Sequence, residues 1–591
     1  MKTLLRLLAS LLITAVALAQ APAFMPLGDV KPGMKGQGRT VFEGGKIEKF
    51  SFEVLGVFRN GGGPLGAPGR SLILVKASGG PLATTGIVAG MSGSPCYIDG
   101  KLIGALSIGF PFEKEPIGGI TPIGEMIDQL QDIPDAPAIR TPLILPKLEP
   151  PTVLKSSLLG QMIPASQLPG LDLGVPSGGS ILPLPLFGPE LSPETKALWD
   201  GLPFQFLATG AAAQGSAGEP SPIEPGGMVA ISLVRGDLEL GTGGTITHVS
   251  GKRLFLFGHQ LLNLGAVDLP LWSATVSGLI PSYNTSTKMA MPVAPIGAVR
   301  LDRSTGVGAL LGAEARMVPL RIGLNLGGKR TLNFKFDLMD HPTLTPLLTA
   351  TVVNQTLNTH VRGLGIQSLS MQGNIKLTGY PAIQVENMVA DLNSGRMAQY
   401  IGGLLQAVTL NPFERPAIEG ISLAIKAEER LDLTSIAGVR TLKARVKRGE
   451  VLPVLVTLQN IQGARETATF NVNVPSSALP GKATLLVGDG LSLLNSDPDQ
   501  RSIDVGSLGD IVRILNNALR NNHAYSLLVQ AQPGAGLRGS RIEGVPPAVA
   551  SLLGSDGDST ANRLQRRIIG RSVLPLEREV IGMVSLELEI E

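Results

Sequence analysis

From Phe50 to Val57 the apolar residues Phe50, Phe52 and Val54 alternate with Ser51 and Glu53. A period of two marks a strand with one face on a core and the other in water. Residues 71–77 (Ser-Leu-Ile-Leu-Val-Lys-Ala) predict a second, more deeply buried strand. Cys96-Tyr-Ile and Lys101-Leu-Ile flank Asp99-Gly100, a dipeptide that favours a tight type I′ hairpin because both positions tolerate positive φ. The same arrangement returns where Thr245-Ile-Thr-His-Val and Lys252-Arg-Leu-Phe-Leu-Phe bracket Ser250-Gly251, and there the second strand delivers Gly258-His259 at its end. Alternation continues through 317–326 and 331–337. Helical periods are few: 124–131 predicts a short helix and 394–408 another. The clearest is 507–521, with Leu508, Ile511, Val512, Leu515 and Leu519 on one face and Ser507 with Asp510 as the capping pattern. The final residues, 585–591, alternate Leu and Ile with Ser and Glu, which predicts a strand with one wet face.

Composition fits this pattern. With 74 Gly, 45 Pro and only 16% charged residues among 591, the chain is turn-rich and mainly β, and its length suggests about three or four domains. The pattern divides it into a β module at 25–132 that carries Ser92, a Pro/Gly-rich linker at 133–224 with at most one short helix near Pro193–Trp199, and a second β module at 225–345 that carries His259. A mixed α/β connection follows at 346–422. Strand candidates at 451–458 and 467–474 then predict an immunoglobulin-like sandwich over 423–495, before a small α+β region at 496–591.

Charge and targeting narrow the function classes. The net charge is +3, from 50 basic and 47 acidic residues, and no basic run is interleaved with aromatics, so nucleic acid is not an expected partner. Residues 1–19 carry Lys2 and Arg6, an apolar run and Ala17-Leu18-Ala19, the pattern of a cleaved secretory signal peptide, with a retained membrane anchor as the alternative. No later segment offers about 18 uninterrupted apolar residues, so the mature chain is expected to lack a membrane span and to be secreted or periplasmic. The one cysteine, Cys96, excludes an internal disulfide and a thiolate zinc site, and its place after Pro95 in an apolar strand predicts a buried small hydrophobe. No cofactor is implied. The acidic loops at 496–499 and 555–558 lack EF-hand spacing and read as solvated turns.

The candidate chemistry lies in residues 86–100, Gly-Ile-Val-Ala-Gly-Met-Ser-Gly-Ser-Pro-Cys-Tyr-Ile-Asp-Gly. Gly90 and Gly93 permit a sharp turn that would leave the Ser92 hydroxyl and nearby N–H groups pointing at one spot, as acyl transfer to serine requires; the same residues are also ordinary turn vocabulary. A serine nucleophile needs a base. Of the five histidines, His248 lies mid-strand, His341 in a turn before Pro342, and His360 and His523 in polar contexts outside the two modules. His259 alone ends a hydrophobic strand beside a glycine, where a side chain can project into a cleft or simply complete a core.

A resemblance bears on that choice. Gly-Gly-Lys-Ile-Glu-Lys-Phe-Ser-Phe-Glu-Val at 44–54, Thr-Gly-Ile-Val-Ala-Gly-Met-Ser-Gly-Ser-Pro at 85–95 and Asp-Gly-Lys-Leu-Ile-Gly-Ala at 99–105 closely resemble the serine half of the SpoIVB family of serine peptidases. Gly-Gly-Thr-Ile-Thr at 243–247 with Leu-Phe-Gly-His at 256–259 resembles the family's histidine half. Together the two cover about 25–130 and 225–300. The resemblance implies a serine endopeptidase with Ser92 as nucleophile, His259 as general base, an oxyanion hole from the N–H groups of the Gly90–Ser92 turn, and a protein or peptide substrate. It also implies a chymotrypsin-like double β-barrel formed by the two modules. The halves stand in exchanged order, which triad chemistry tolerates. No acid matches the family's third member, leaving a backbone carbonyl or Asp237 to orient His259. The competing expectation is a non-catalytic cell-envelope scaffold that retains the barrels as a binding platform.

Overall fold

The computed structural model describes residues 24–591 except 62–68, 138–149, 165–166, 168–183, 201, 203, 209–217, 328–329, 362–364, 393, 497–504, 532–533, 538–539, 543–544, 547, 550–551, 553–560 and 565–566. The segment at 1–19 and, apart from Ser496, the acidic loops at 496–499 and 555–558 lie outside the described residues. The chain is mainly β. No described helix is long and apolar enough to cross a membrane.

Strands β1 (Lys35–Val41), β2 (Ile47–Phe58), β3 (Leu72–Ser78), β4 (Pro95–Ile98), β5 (Lys101–Gly109) and β6 (Ile117–Pro122) close into a barrel in the order β1-β2-β3-β6-β5-β4. The alternation seen in the sequence points Phe50, Phe52 and Val54 inward against Val75, Ile98, Ile103 and Leu106. Two glycines of β1 make room for the rings: a Cβ on Gly38 would fall 2.1 Å from Phe50 Cζ, and one on Gly36 2.4 Å from Phe52 Cζ. Burial of each ring contributes roughly 2–3 kcal/mol. The β4–β5 turn has Asp99 at φ 49° and Gly100 at φ 73°, the geometry that the Asp-Gly pair predicts. The predicted short helix, α1 (Ile123–Leu130), follows β6.

A 13-stranded sheet carries the histidine segment. It contains β7 (Leu184–Gly188), β8 (Phe204–Ala208), β9 (Met228–Gly236), β10 (Leu240–Ser250), β11 (Arg253–Leu256), β12 (Gly265–Ile280), β13 (Thr287–Arg303) and β14 (Gly306–Leu311), then Met317–Leu326 and Thr331–Met339. It does not stop at 345: Met317–Leu326 pairs in parallel with Ile418–Glu428, which brings in two more strands of the 346–422 segment. Nor is 133–224 only a linker with one helix. Pro193–Leu198 forms the expected helix, capped by Ser192, but β7 and β8 also join the sheet, through the pairing of β7 with β10. Proline in Leu-Pro-Leu hides from pattern reading a strand, β7, that lies between β10 and the edge strand β8. Trp199 is buried beside them and donates from Nε1 to Thr351 Oγ1 at 3.0 Å. Leu344–His360 is a helix that the sequence pattern conceals because it is buried on nearly all sides. Thr349 and Thr356 return their hydroxyls to the carbonyls of Thr345 and Val352, so no polar face is needed.

The C-terminal part is a sandwich of two sheets. One holds Leu433–Thr441, Val451–Asn460, Arg465–Asn473 and Glu579–Ile581; the other holds Arg445–Val446, Gly481–Asp489, His523–Gln530, Arg567–Pro575 and Met583–Ile590. Val454, Val456, Leu458, Phe470, Leu485, Val487 and Leu528 form their common core. The sandwich expected at 423–495 thus takes strands from 496–591, and the two segments share one core. The helix expected over 507–521 begins at the Ser507 cap and ends at Asn516, while Leu519 packs beyond it against Gly490.

Candidate active site

The Ser92 loop lies where the barrel meets the large sheet, and the later chain fixes it there. Thr245 N–H on β10 donates to Ser92 O at 2.8 Å, Thr245 Oγ1 donates to Gly90 O at 3.1 Å, and Thr247 Oγ1 donates to Gly93 O at 2.8 Å. Gly93, at φ 94°, is a position where no side chain fits, because a Cβ would stand 2.0 Å from Thr245 O and 2.6 Å from Phe257 N. From the barrel side, Gly93 N–H donates to Leu106 O and Ser94 O accepts from Leu106 N–H. Within the turn, Met91 and Ser94 donate to Val88 O and Met91 O. The N–H groups of Gly90 and Ser92 make no hydrogen bond among the described residues. These are the two groups assigned to an oxyanion hole.

His259 is reached through a strained corner. Phe257 has φ 67° and Gly258 φ 71°; a bulky residue in the left-handed region is costly unless its surroundings hold it. They do so here: Phe257 is fully buried, and its ring occupies the space over Gly244, where a Cβ would lie 2.4 Å from Phe257 Cδ1. Gly258 packs on Ala105 and Ser107 of β5, and its carbonyl accepts from Thr121 Oγ1 at 2.7 Å. Beyond His259, the buried Asp302 carboxylate of β13 accepts N–H groups from Leu261 (2.8 Å), Leu262 (2.8 Å) and Leu264 (3.0 Å), fixing the loop that leaves the imidazole. The serine and histidine motifs therefore meet backbone to backbone, Gly93 against Phe257.

The imidazole itself is defined by one contact. His259 Nδ1 lies 2.7 Å from Gln260 O, and a carbonyl can only accept, so Nδ1 carries the proton. Nε2 is left with its lone pair, buried and with no partner among the described residues. Burial, helped by the Arg70 charge, brings the His259 pKa down to about 4, so the ring is neutral over most of the pH range. The backbone carbonyl takes the orienting role expected of a carbonyl or Asp237. Asp237 is elsewhere, accepting Lys335 N–H at 2.7 Å.

None of the other histidines makes a hydrogen bond to Ser92 among the described residues, although His248 Nδ1 is also buried without a partner. His248 packs between Phe24 and Phe255, His341 Nδ1 accepts the N–H groups of Thr343 and Leu344, His360 lies against Phe334, and His523 pairs with Asn522. Cys96 is fully buried, burial pushes its thiol pKa far up, and its Sγ lies 3.6 Å from Ser94 O. Thr245, Thr247, Thr121 and Asp302 are the site-building residues that pattern reading missed. Each acts on backbone atoms far away in sequence, and no local spacing announces that. Ser92 and His259 are closed off, at 1% and 3% exposure. Comparison with protein-family models, with curated proteins and with solved structures finds no match to this chain.

Proposed function

We propose that this chain is a serine endopeptidase acting on protein or peptide substrates in the cell envelope or outside the cell, of the kind its motifs resemble in the SpoIVB family. In this reading the barrel and the adjoining part of the large sheet stand in a chymotrypsin-like relation. Ser92 attacks the peptide carbonyl, His259 Nε2 takes the serine proton and later returns it to the leaving amine, and the Gly90 and Ser92 N–H groups receive the oxyanion. The observation that carries the reading is the paired vacancy at one junction. A neutral imidazole with an unpartnered, buried Nε2 follows the corner on which the serine loop rests, and that loop keeps two N–H groups unspent. Gln260 O orients the imidazole without the compensating charge of a carboxylate, so turnover below that of an enzyme with a full triad is expected.

The test is labelling of the purified protein with a fluorophosphonate. Wild type is expected to label at Ser92, and both Ser92→Ala and His259→Ala to fall by at least about a thousandfold at unchanged melting temperature. Equal labelling of all three would end the reading. One observation favours the second reading, a scaffold that binds without cleaving: the near-complete burial of both side chains means that a substrate reaches them only after the junction opens.

A further inference from the structure

Lys288, the second residue of β13, is completely buried, yet it makes no ion pair among the described residues. Its Nζ donates to the buried hydroxyl of Thr40 on β1 at 2.7 Å and stands 5.9 Å from the Phe42 ring centroid. Its stem lies along the serine turn: a Cβ on Gly90 would fall 3.3 Å from both Cβ and Cδ of Lys288 and 3.5 Å from its Cγ. The main chain joins in, since Lys288 N–H donates to Ala89 O at 3.0 Å and Ala89 N–H donates to Ser286 O at 2.7 Å. An apolar side chain would fill this space without the cost of burying an amine, so packing alone does not account for a lysine here. The stem thus runs along the turn whose Gly90 and Ser92 N–H groups make no hydrogen bond among the described residues, and it carries an uncompensated ammonium that ends at Thr40 and Phe42, a source of positive potential beside that turn.

We propose that Lys288 is a positioning residue of the Ser92 site, its stem shaping the Gly90 turn and its ammonium stabilising negative charge that develops at the Gly90 and Ser92 N–H groups. The inference rests on reading Ser92 as the nucleophile. The groups at the amine are Thr40 of β1 and Phe42 just beyond that strand, with Gly90 of the serine loop along the stem, and none of these titrates in the working range. Burial alone brings the Lys288 pKa down to about 7, so the ammonium is present below that value and lost above it. His259 must be neutral, which it is above about 4. Acylation is therefore fastest in the window between the two values, with an alkaline limb that belongs to Lys288.

The experiment is the rate of fluorophosphonate labelling from pH 4 to pH 9 for full-length mature protein, wild type against Lys288→Met, which keeps the stem, and Lys288→Gln, which keeps a donor for Thr40 without the charge. Both variants are expected to label roughly tenfold or more slower at pH 6 and to lose the alkaline limb, with melting temperatures no lower than wild type at that pH. Variants that label at the wild-type rate with the wild-type pH profile would overturn this inference alone. A wild type that never labels would overturn the nucleophile reading and this inference with it.

Discussion

In the C-terminal sandwich, strands such as Val451–Asn460 alternate inward and outward residues and close over an aliphatic core. Among the described residues, the polar atoms left buried without partners there are neutral hydroxyls, Thr434 Oγ1 and Ser526 Oγ. At the junction of barrel and large sheet the same kind of chain behaves differently. A phenylalanine takes positive φ, two imidazole nitrogens, His248 Nδ1 and His259 Nε2, are orphaned, and a lysine is buried without a counter-charge among the described residues. All five described non-glycine residues with positive φ, from Asn60 to Asn263, fall in the half of the chain that builds the junction, and none falls in the sandwich. Unfavourable local states persist only where the surroundings impose them, so their concentration sets the junction, where the proposed site lies, apart from a region built by regular packing.

That contrast can be broken. Gly93→Ala forces a Cβ to within 2.0 Å of Thr245 O at φ 94°, with backbone on the receiving side, and is expected to cost about 4 kcal/mol or more and to abolish labelling. Chemical denaturation with a labelling assay on the folded fraction reads both. Leu485→Ala in the sandwich core is expected to cost about 3 kcal/mol in the same denaturation experiment, while the folded fraction labels at the wild-type rate. A matching loss of labelling would mean that the two regions are not separable. Stability against pH gives a third measure. Below about 7 the Lys288 amine is protonated in both folded and unfolded chains; between about 7 and 10.5 only the unfolded chain holds that proton, so stability rises with pH through this window. Lys288→Met should remove a rise of about 3 kcal/mol, read as the difference between the two proteins' unfolding free energies at pH 7 and pH 10. Thr247→Val, which deletes one donor to Gly93 O, should cost about 1 kcal/mol and slow labelling a few-fold, whereas a change in neither would show that the strap is redundant.

Much of this was legible from residue order, and the part that was not has a physical reason. Phe50, Phe52 and Val54 announce their strand because a two-residue period is local, and Asp99-Gly100 announces its turn because φ is a property of single residues. Gly90-Met-Ser-Gly marks a tight loop for the same reason. Lys288 gives no such sign: in Thr-Lys-Met-Ala-Met it occupies what alternation reads as a strand position, and only the packing of Gly90 over its stem makes it unusual. Asp302 is equally silent, since its partners are three N–H groups some 40 residues earlier in the chain. The strands of 133–224 and the shared core of the sandwich give no local sign because prolines weaken the strand pattern and strand partners are chosen across long stretches of chain.

The order of the two motifs has a consequence in time. Everything that holds Ser92 in place from the large sheet, Thr245, Thr247, Phe257 and Lys288, is made after it, and Asp302, which fixes the loop beyond His259, comes later still. A chain synthesised from its N-terminus at about 5–20 residues per second carries the serine for ten seconds or more before the last of these parts exists. During that interval the growing chain holds the serine hydroxyl without the imidazole, the straps or the buried lysine, so on the proposed reading it passes through synthesis with its chemistry still unassembled.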